Sequence, residues 1–216
     1  MGKTLSTGAI IAIAKTYAAS SNMTAITNAA EAVATLAVGH GVVVGDYLEI
    51  TSGWGLLNGM VVRAKTVATN DVTLEGIATT DTTKYPAGSG TGSIRRITAW
   101  DNMSQVKNVS RSGGEQKWAD GTALEDMVES QMPTTRGAVS MSIDVYDDPT
   151  LAWYASVQSA SDAATPYAMR ISLKNGSKII ANAYWSLMDV PDIQRDQILT
   201  ANIALSFSAK PKRYAT

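Results

Sequence analysis

The sequence predicts a mainly β protein: a sheet-based core with one flanking helix, and a small all-β unit set into the chain. Residues around Ile143 and around Ile203 alternate apolar and polar with the two-residue period of a half-buried strand. Residues 24–98 are short β-rich runs punctuated by glycine. Asn175-Gly176, between two apolar runs, is the strongest short-range signal for a two-residue hairpin.

The first element, residues 9–17, reads as a strand at one edge of a larger sheet, followed by the breaker run 18–22. Its apolar stretch, residues 9–14, is too short to span a bilayer. Lys3 alone gives little of the basic start of a signal peptide, so neither a signal peptide nor membrane insertion is expected. Residues 25–36 read as a helical turn or linker. Strands follow at 46–51, 60–67, 72–74 and 93–98, with Asn58-Gly59 and Asn70-Asp71 supplying turn chemistry between them. In the second half, Val139, Met141, Ile143 and Val145 face one way, and Ala138, Ser140, Ser142 and Asp144 the other. Asp148-Pro149 predicts a helix start, the carboxylate capping free amides and proline sitting where no donor is needed. Leu151, Tyr154 and Val157 then share a helical face. Tyr167, Met169, Ile171 and Leu173 form the next strand and residues 178–190 its return. The last strand puts Leu199, Ala201, Ile203, Leu205 and Phe207 on one face and Thr200, Asn202, Ala204 and Ser206 on the other.

Composition excludes several function classes. Eighteen basic and 19 acidic residues give a net charge of -1, so no global field gathers nucleic acid or anionic lipid. With no cysteine and one histidine, His40, thiolate chemistry and sulfur-based zinc sites are ruled out, and a serine triad would have to recruit a Gly-His-Gly turn. No catalytic residue, metal or cofactor is expected, and the chain reads as a non-enzyme. Gly88 to Gly92 lack the Lys-Ser/Thr and following helix of a phosphate loop and read as a hairpin turn. Asp147-Asp148 and Glu125-Asp126 are chain neighbours, which usually point apart, and so read as capping and solvated loop.

Residues 111–134 form a long connection with little periodicity, which compact domains rarely keep without a purpose. Between Glu115 and Glu129 it carries five acidic residues and one basic, together with Trp118. An indole in a polar loop reads either as an interface anchor or as packing on its own domain. The basic tail Lys210-Pro211-Lys212-Arg213 reads as a solvated face or as a complement to the acidic loop on a neighbouring copy.

The residues of 8–17, Gly39-His40-Gly41-Val42-Val43-Val44-Gly45-Asp46-Tyr47, Thr51-Ser52-Gly53-Trp54, Leu57-Asn58-Gly59, Leu74-Glu75-Gly76-Ile77 and Pro86-Ala87-Gly88, with the strand, helix, hairpin and strand of 136–207, resemble the major tail tube proteins of bacteriophages with long, non-contractile tails, the siphovirus type. The resemblance implies a β-sandwich or split-barrel tail-tube core, residues 1–23 and 99–216, with one flanking helix, and a small inserted β domain, residues 24–98. It implies a structural virion protein that self-assembles into stacked hexameric rings, forming a conduit for DNA delivery. It further implies assembly in the host cytoplasm and partnership with itself, the tape measure protein, the tail terminator and distal tail proteins. On that basis Ser140, Ser142, Asp144, Thr200, Asn202 and Ser206 are candidates to face the lumen. Glu115, Trp118, Asp120, Glu125, Asp126, Glu129, Lys210, Lys212 and Arg213 are candidates for contact between rings. The alternative is a virion accessory or adhesion module whose residues 24–98 bind a host receptor or glycan, since they hold Tyr47, Trp54 and Tyr85.

Overall fold

The computed structural model describes residues 7–215, so the expectation built on Lys3 lies outside the described residues. The chain is mainly β, with one helix among the described residues. Six strands, β2 (Ser21–Ile26), β3 (Val33–Leu36), β4 (Tyr47–Ser52), β5 (Val61–Ala68), β6 (Asp71–Leu74) and β7 (Gly92–Asn102), pair in the order β2-β3-β6-β5-β4-β7, and β7 returns to β2. The result is a closed barrel. Its interior is filled by Leu48, Ile50, Val62, Val72 and Leu74, with Trp54 and Leu57 plugging one end. The indole Nε1 of Trp54 donates to the Pro86 carbonyl at 2.8 Å, and its ring meets Tyr85 edge-on. Gly90 packs so closely on the Trp54 ring that a Cβ there would lie 2.6 Å from it. This contact accounts for Gly90, while Gly88 takes a φ of 78° and a Cβ at Gly92 would press on the Thr51 carbonyl.

Two expectations are corrected here. Residues 25–36 hold no helical turn: 25–26 end β2, 33–36 form β3, and only 27–32 between them are a connection. Five alanines with Asn28 and Glu31 keep the strand propensity of the segment low, and closure of the barrel supplies the partners that propensity does not. The first strand, β1 (Ile10–Tyr17), is not an edge. It lies between β7 and β12 (Tyr167–Ser172), and residues 11–14 are buried on both faces.

From β1 the sheet continues through β12, β13 (Lys178–Leu187), β14 (Thr200–Phe207) and β11 (Val139–Tyr146) to β8 (Val106–Gly113). The single helix α1 (Ala152–Ala163) lays Trp153, Val157 and Ala160 on one side, against Ile13, Ile143, Met169, Trp185 and Ile203. Burying two indoles and several aliphatic side chains here contributes about 1.5–3 kcal/mol for each large residue. The helix begins later than Asp148-Pro149 implies. Asp148 Oδ1 accepts from the Thr150 amide at 3.1 Å and its hydroxyl at 2.6 Å, an Asx turn upstream of α1, while the N-cap is Leu151, with no side-chain cap. Ala164, in the left-handed region at φ 49°, ends the helix ahead of Pro166.

Barrel and core sheet share β7, whose first half pairs with β2 and β4 and whose second half pairs with β1. Residue 98/99, the expected boundary, therefore falls inside one strand. A third apolar cluster, Ala14, Tyr47, Val61, Ile97, Ala168, Ile180 and Tyr214, fills the joint. Across it the Arg63 amide donates to the Tyr214 hydroxyl at 2.9 Å, and Asn182 Nδ2 donates to Glu49 Oε1 at 3.0 Å. Arg95 sits over the Tyr17 ring at 4.1 Å, and Arg170 over Trp100 at 4.6 Å. Burial pushes the Tyr214 phenol up to about 12.

Candidate functional site

The side of the core sheet away from α1 is covered by the barrel near β1, β12 and β13; across β14, β11 and β8 it is open. Strand period fixes what it presents. With Met141, Ile143 and Val145 turned to the core, β11 turns Ser140, Ser142 and Asp144 outward. Pairing brings Thr200, Asn202 and Ser206 of β14 onto the same face, opposite Tyr146, Asp144 and Ser140. Asn202 Nδ2 donates to Ser142 Oγ at 2.6 Å and to Asp144 Oδ1 at 2.7 Å, a small polar network that spans two strands. All six lumen candidates therefore lie on one face, none against the apolar core.

The pattern also brings in residues not singled out from sequence. Ser112, Ser110 and Asn108 of β8 stand opposite Ser140, Ser142 and Asp144, and the hydroxyls of Ser112 and Ser140 are 2.8 Å apart. The alternation of Asn108, Ser110 and Ser112 with Val109 and Arg111 was available as a signal, but every residue of β8 after Val106 is exposed, so no buried stripe marked it. The paired outward residues of β8, β11 and β14 include no lysine or arginine, and Asp144 is their one charged side chain; Lys107 is the extra residue at the register shift beside Asp144, at one end of β8. The outer edge of β8 pairs with no strand among the described residues.

The connection 111–134 is corrected from a loop to an arm. β9 (Gln116–Asp120) and β10 (Gln131–Arg136) pair with each other and extend the β8–β11 ladder outward as one long hairpin. Its root turns at Gly113, φ 75°, where a Cβ would press on the Ala138 carbonyl. Gly114 and Gly137 carry the backbone ladder across that turn, donating to Ala138 and Glu115. The tip is ordered by its own polar groups. The Gly121 amide donates to the Ser130 carbonyl at 2.9 Å and the Ser130 amide to Thr122 Oγ1 at 3.0 Å. Asp120 accepts from Thr122, which holds its carboxyl below the usual range, and Asp126 accepts from the Ala123 amide. Glu115 sits at the root, Trp118 on β9, and Glu125 and Glu129 at the exposed tip. Five of the tip's apolar or aromatic side chains are also exposed: Trp118, Leu124, Met127, Val128 and Met132.

The basic tail is separated from these. Lys212 and Arg213 lie in β15 (Lys212–Tyr214), paired with β13 of their own chain. Lys212 Nζ donates to the Gly76 carbonyl, and burial with Lys210 nearby lowers its ammonium. Arg213 reaches Ser177 Oγ at 3.4 Å. Lys210 and Arg213 are exposed, and of the three only Lys210 lines the cleft beside the root of the arm. His40 ties two barrel loops together: its Nδ1 accepts from the Val42 amide at 3.0 Å and its Nε2 donates to the Thr69 carbonyl at 2.9 Å. Among the described residues no group of three or more His, Asp or Glu side chains is placed to hold a metal ion, and no helix is long and apolar enough to cross a membrane.

A family model described as "Phage tail tube protein, TTP" matches residues 52–216, from the end of β4 through the arm, α1 and every strand of the core sheet except β1. No curated protein matches the chain. Among solved structures the chain is similar to one in the "Cryo-EM structure of the anti-feeding prophage (AFP) baseplate, 6-fold symmetrised", at 11% identity and a TM-score of 0.38, over 55% of this chain and 86% of that one. The family match covers well over half of the sequence, and the chain belongs to the phage tail tube proteins, structural components of the phage tail.

Proposed function

We propose that the chain is the tube subunit of a long, non-contractile tail, closing with five other copies into hexameric rings that stack into a conduit for DNA. Family membership supports the tail assignment. The observation that carries the conduit is the open face of β8, β11 and β14, whose paired outward residues are mostly serine, threonine and asparagine with Asp144 as their one charge. Each cationic contact with phosphate adds counterion-release affinity, so a wall that lets DNA slide must lack cations. The same sheet ends on β8, an unpaired edge that a neighbouring copy closes, as strand edges in a closed multi-chain barrel must be closed.

In this reading the barrel is an inserted unit, residues 24–98, on the outside of the tube. The chain acts without catalysis, and the tape measure, terminator and distal tail proteins meet it at the lumen and the two ends. It assembles in the host cytoplasm. A receptor- or glycan-binding role for the barrel draws no support from Trp54 and Tyr85, which pack on each other inside it.

The test is Ser110→Lys combined with Ser206→Lys, two exposed positions on the open face. Tubes are expected to form with normal length, and DNA delivery by the resulting virions to fall at least about tenfold at low salt, with partial recovery as salt rises. Normal delivery through normally assembled tubes overturns the lumen assignment.

A further inference from the structure

The barrel is tied to the core sheet on two sides, and the ties differ in kind. On one side the chain itself crosses, through residues 18–20 after β1 and through β7. There the β1–β7 ladder shifts register twice, between Ala14 and Thr16 and between Thr16 and Tyr17, and irregularities of this kind bend strands. Two bent strands carrying all the covalent connection have the form of a hinge.

On the other side the tie is a C-terminal strap, residues 208–214. Its backbone belongs to the core: the Ser208 amide donates to the Asn182 carbonyl at 2.9 Å, and β15 pairs with β13. Its side chains reach the barrel. Ala209 packs on the barrel's apolar interior, and Lys212 Nζ donates to the Gly76 carbonyl. The Tyr214 hydroxyl accepts from the Arg63 amide at 2.9 Å, with the Arg63 guanidinium 4.7 Å from the ring centre. In the sheet β15 follows β7, β1, β12 and β13, so at about 4.8 Å per strand the strap grips the barrel roughly 20 Å from the crossing.

Between hinge and strap the joint closes over groups that water would satisfy. Arg170 Nε and Asn182 Oδ1 are buried in it, and Arg96 Nε beside it, with no hydrogen-bond partner among the described residues. The ion pair of Glu49 with Arg95, at 2.6 Å, is partly buried there as well. Returning these groups to water offsets part of the apolar area that opening would expose. The barrel keeps a closed ladder and a core of its own, so it can move as one body. We propose that β1 and β7 are a hinge and the strap is its latch: seated, Lys212 and Tyr214 hold the barrel against β12 and β13, and released, the barrel swings away as a folded unit. Hinge and latch lie within one chain and stand whether or not tubes form.

The chain has no cysteine, so two introduced ones can carry spin labels in the full-length protein. Ala78→Cys lies on the barrel beside Gly76, and Lys174→Cys at the tip of the β12–β13 hairpin, both exposed. With the strap intact, one narrow distance is expected. Lys212→Ala with Tyr214→Ala is expected to raise the fraction of open molecules at least about tenfold. The open distance should be longer by about 10 Å, the arc of a roughly 30° turn at that lever arm. Lys212→Arg with Tyr214→Phe keeps a donor toward Gly76 and a ring beneath Arg63, and should stay mostly closed. An unchanged single distance in the alanine pair overturns the latch, and so does equal opening in the conservative pair. Loss of slow amide exchange at Val62 and Val72 in the alanine pair also overturns it, because a latch releases without unfolding what it holds.

Discussion

The barrel and the arm are both built from antiparallel strands, yet they solve the edge problem in opposite ways. In the barrel every strand has two neighbours, and Leu48, Ile50, Val62, Val72 and Leu74 are wholly buried. It is complete as one chain. The β8–β11 end of the core sheet and the arm leave an edge open, expose every residue of β10, and present Leu124 and Met127 to solvent. What stabilises the first lies inside the molecule; in the proposed tube, neighbouring copies cover what the second leaves exposed. Substitutions should therefore separate folding from assembly according to where they fall.

The largest effect is expected in the barrel. Trp54→Ala removes a buried indole, its bond to Pro86 and its contact with Tyr85, and should cost about 3–5 kcal/mol in denaturant unfolding of the unassembled protein. If barrel and arm are independent in this way, the amide exchange of β9 and β10 should not change. A smaller loss is expected at the arm root. Gly113→Ala places a side chain at φ 75° against the Ala138 carbonyl, and should cost about 1–3 kcal/mol or shift the arm's direction, visible as changed amide chemical shifts from 113 to 139.

The joint between barrel and core should respond to pH. Glu75 is bound by Arg63, Nη2 to Oε1 at 2.7 Å, and that bond first, ahead of the opposing effect of burial, holds its carboxyl below the usual value. A lowered folded-state value contributes stability that is complete above the ordinary carboxylate range near 4.5 and lost as pH falls through the folded value. Glu75→Gln should flatten that acid limb. Tyr214 has the opposite sign. Its phenol, raised from 10 to about 12 chiefly by burial, contributes stability that is complete below pH 10 and lost as pH rises to about 12. Tyr214→Phe should reduce that alkaline limb, the part due to the buried Tyr17 phenol remaining, while leaving the Arg63 amide without its acceptor. Thermal unfolding followed from pH 3 to 12 checks both. The smallest effect is at the tip: Leu124→Ser should alter unfolding of the isolated chain by less than about 0.5 kcal/mol, because nothing in the chain packs on it.

The same contrast explains what the sequence made legible. β11 and β14 could be read because one face is buried and the other wet, so Ile143 and Ser142 take opposite positions in an unbroken alternation. The β12–β13 hairpin at Asn175-Gly176 could be read because its turn chemistry is local, with Gly176 at φ 83°. β9 and β10 could not, since strands exposed on both faces leave no period of burial, and Gly113-Gly114 looks like the start of a loop. β2 and β3 are hidden for a different reason: alanine and asparagine, weak strand formers, dilute Thr24, Ile26, Val33 and Thr35, and barrel closure supplies the partners. β1 was read as an edge because Ala12 and Ala14 look unremarkable until the barrel packs against them. The lumen candidates followed from alternation and share one face. The tail candidates Lys212 and Arg213 followed from charge alone, which does not tell an intermolecular partner from the strand beside it.

In the proposed tube the open sheet face of β8, β11 and β14 becomes the inner wall. A cryo-EM reconstruction of rods assembled from the purified full-length protein measures this directly. The expected result is a hollow bore lined by Ser110, Ser142 and Ser206, with β8 hydrogen-bonded to a strand of the adjacent copy. A reconstruction that covers this face with protein, or turns it to the outside of the rod, contradicts it.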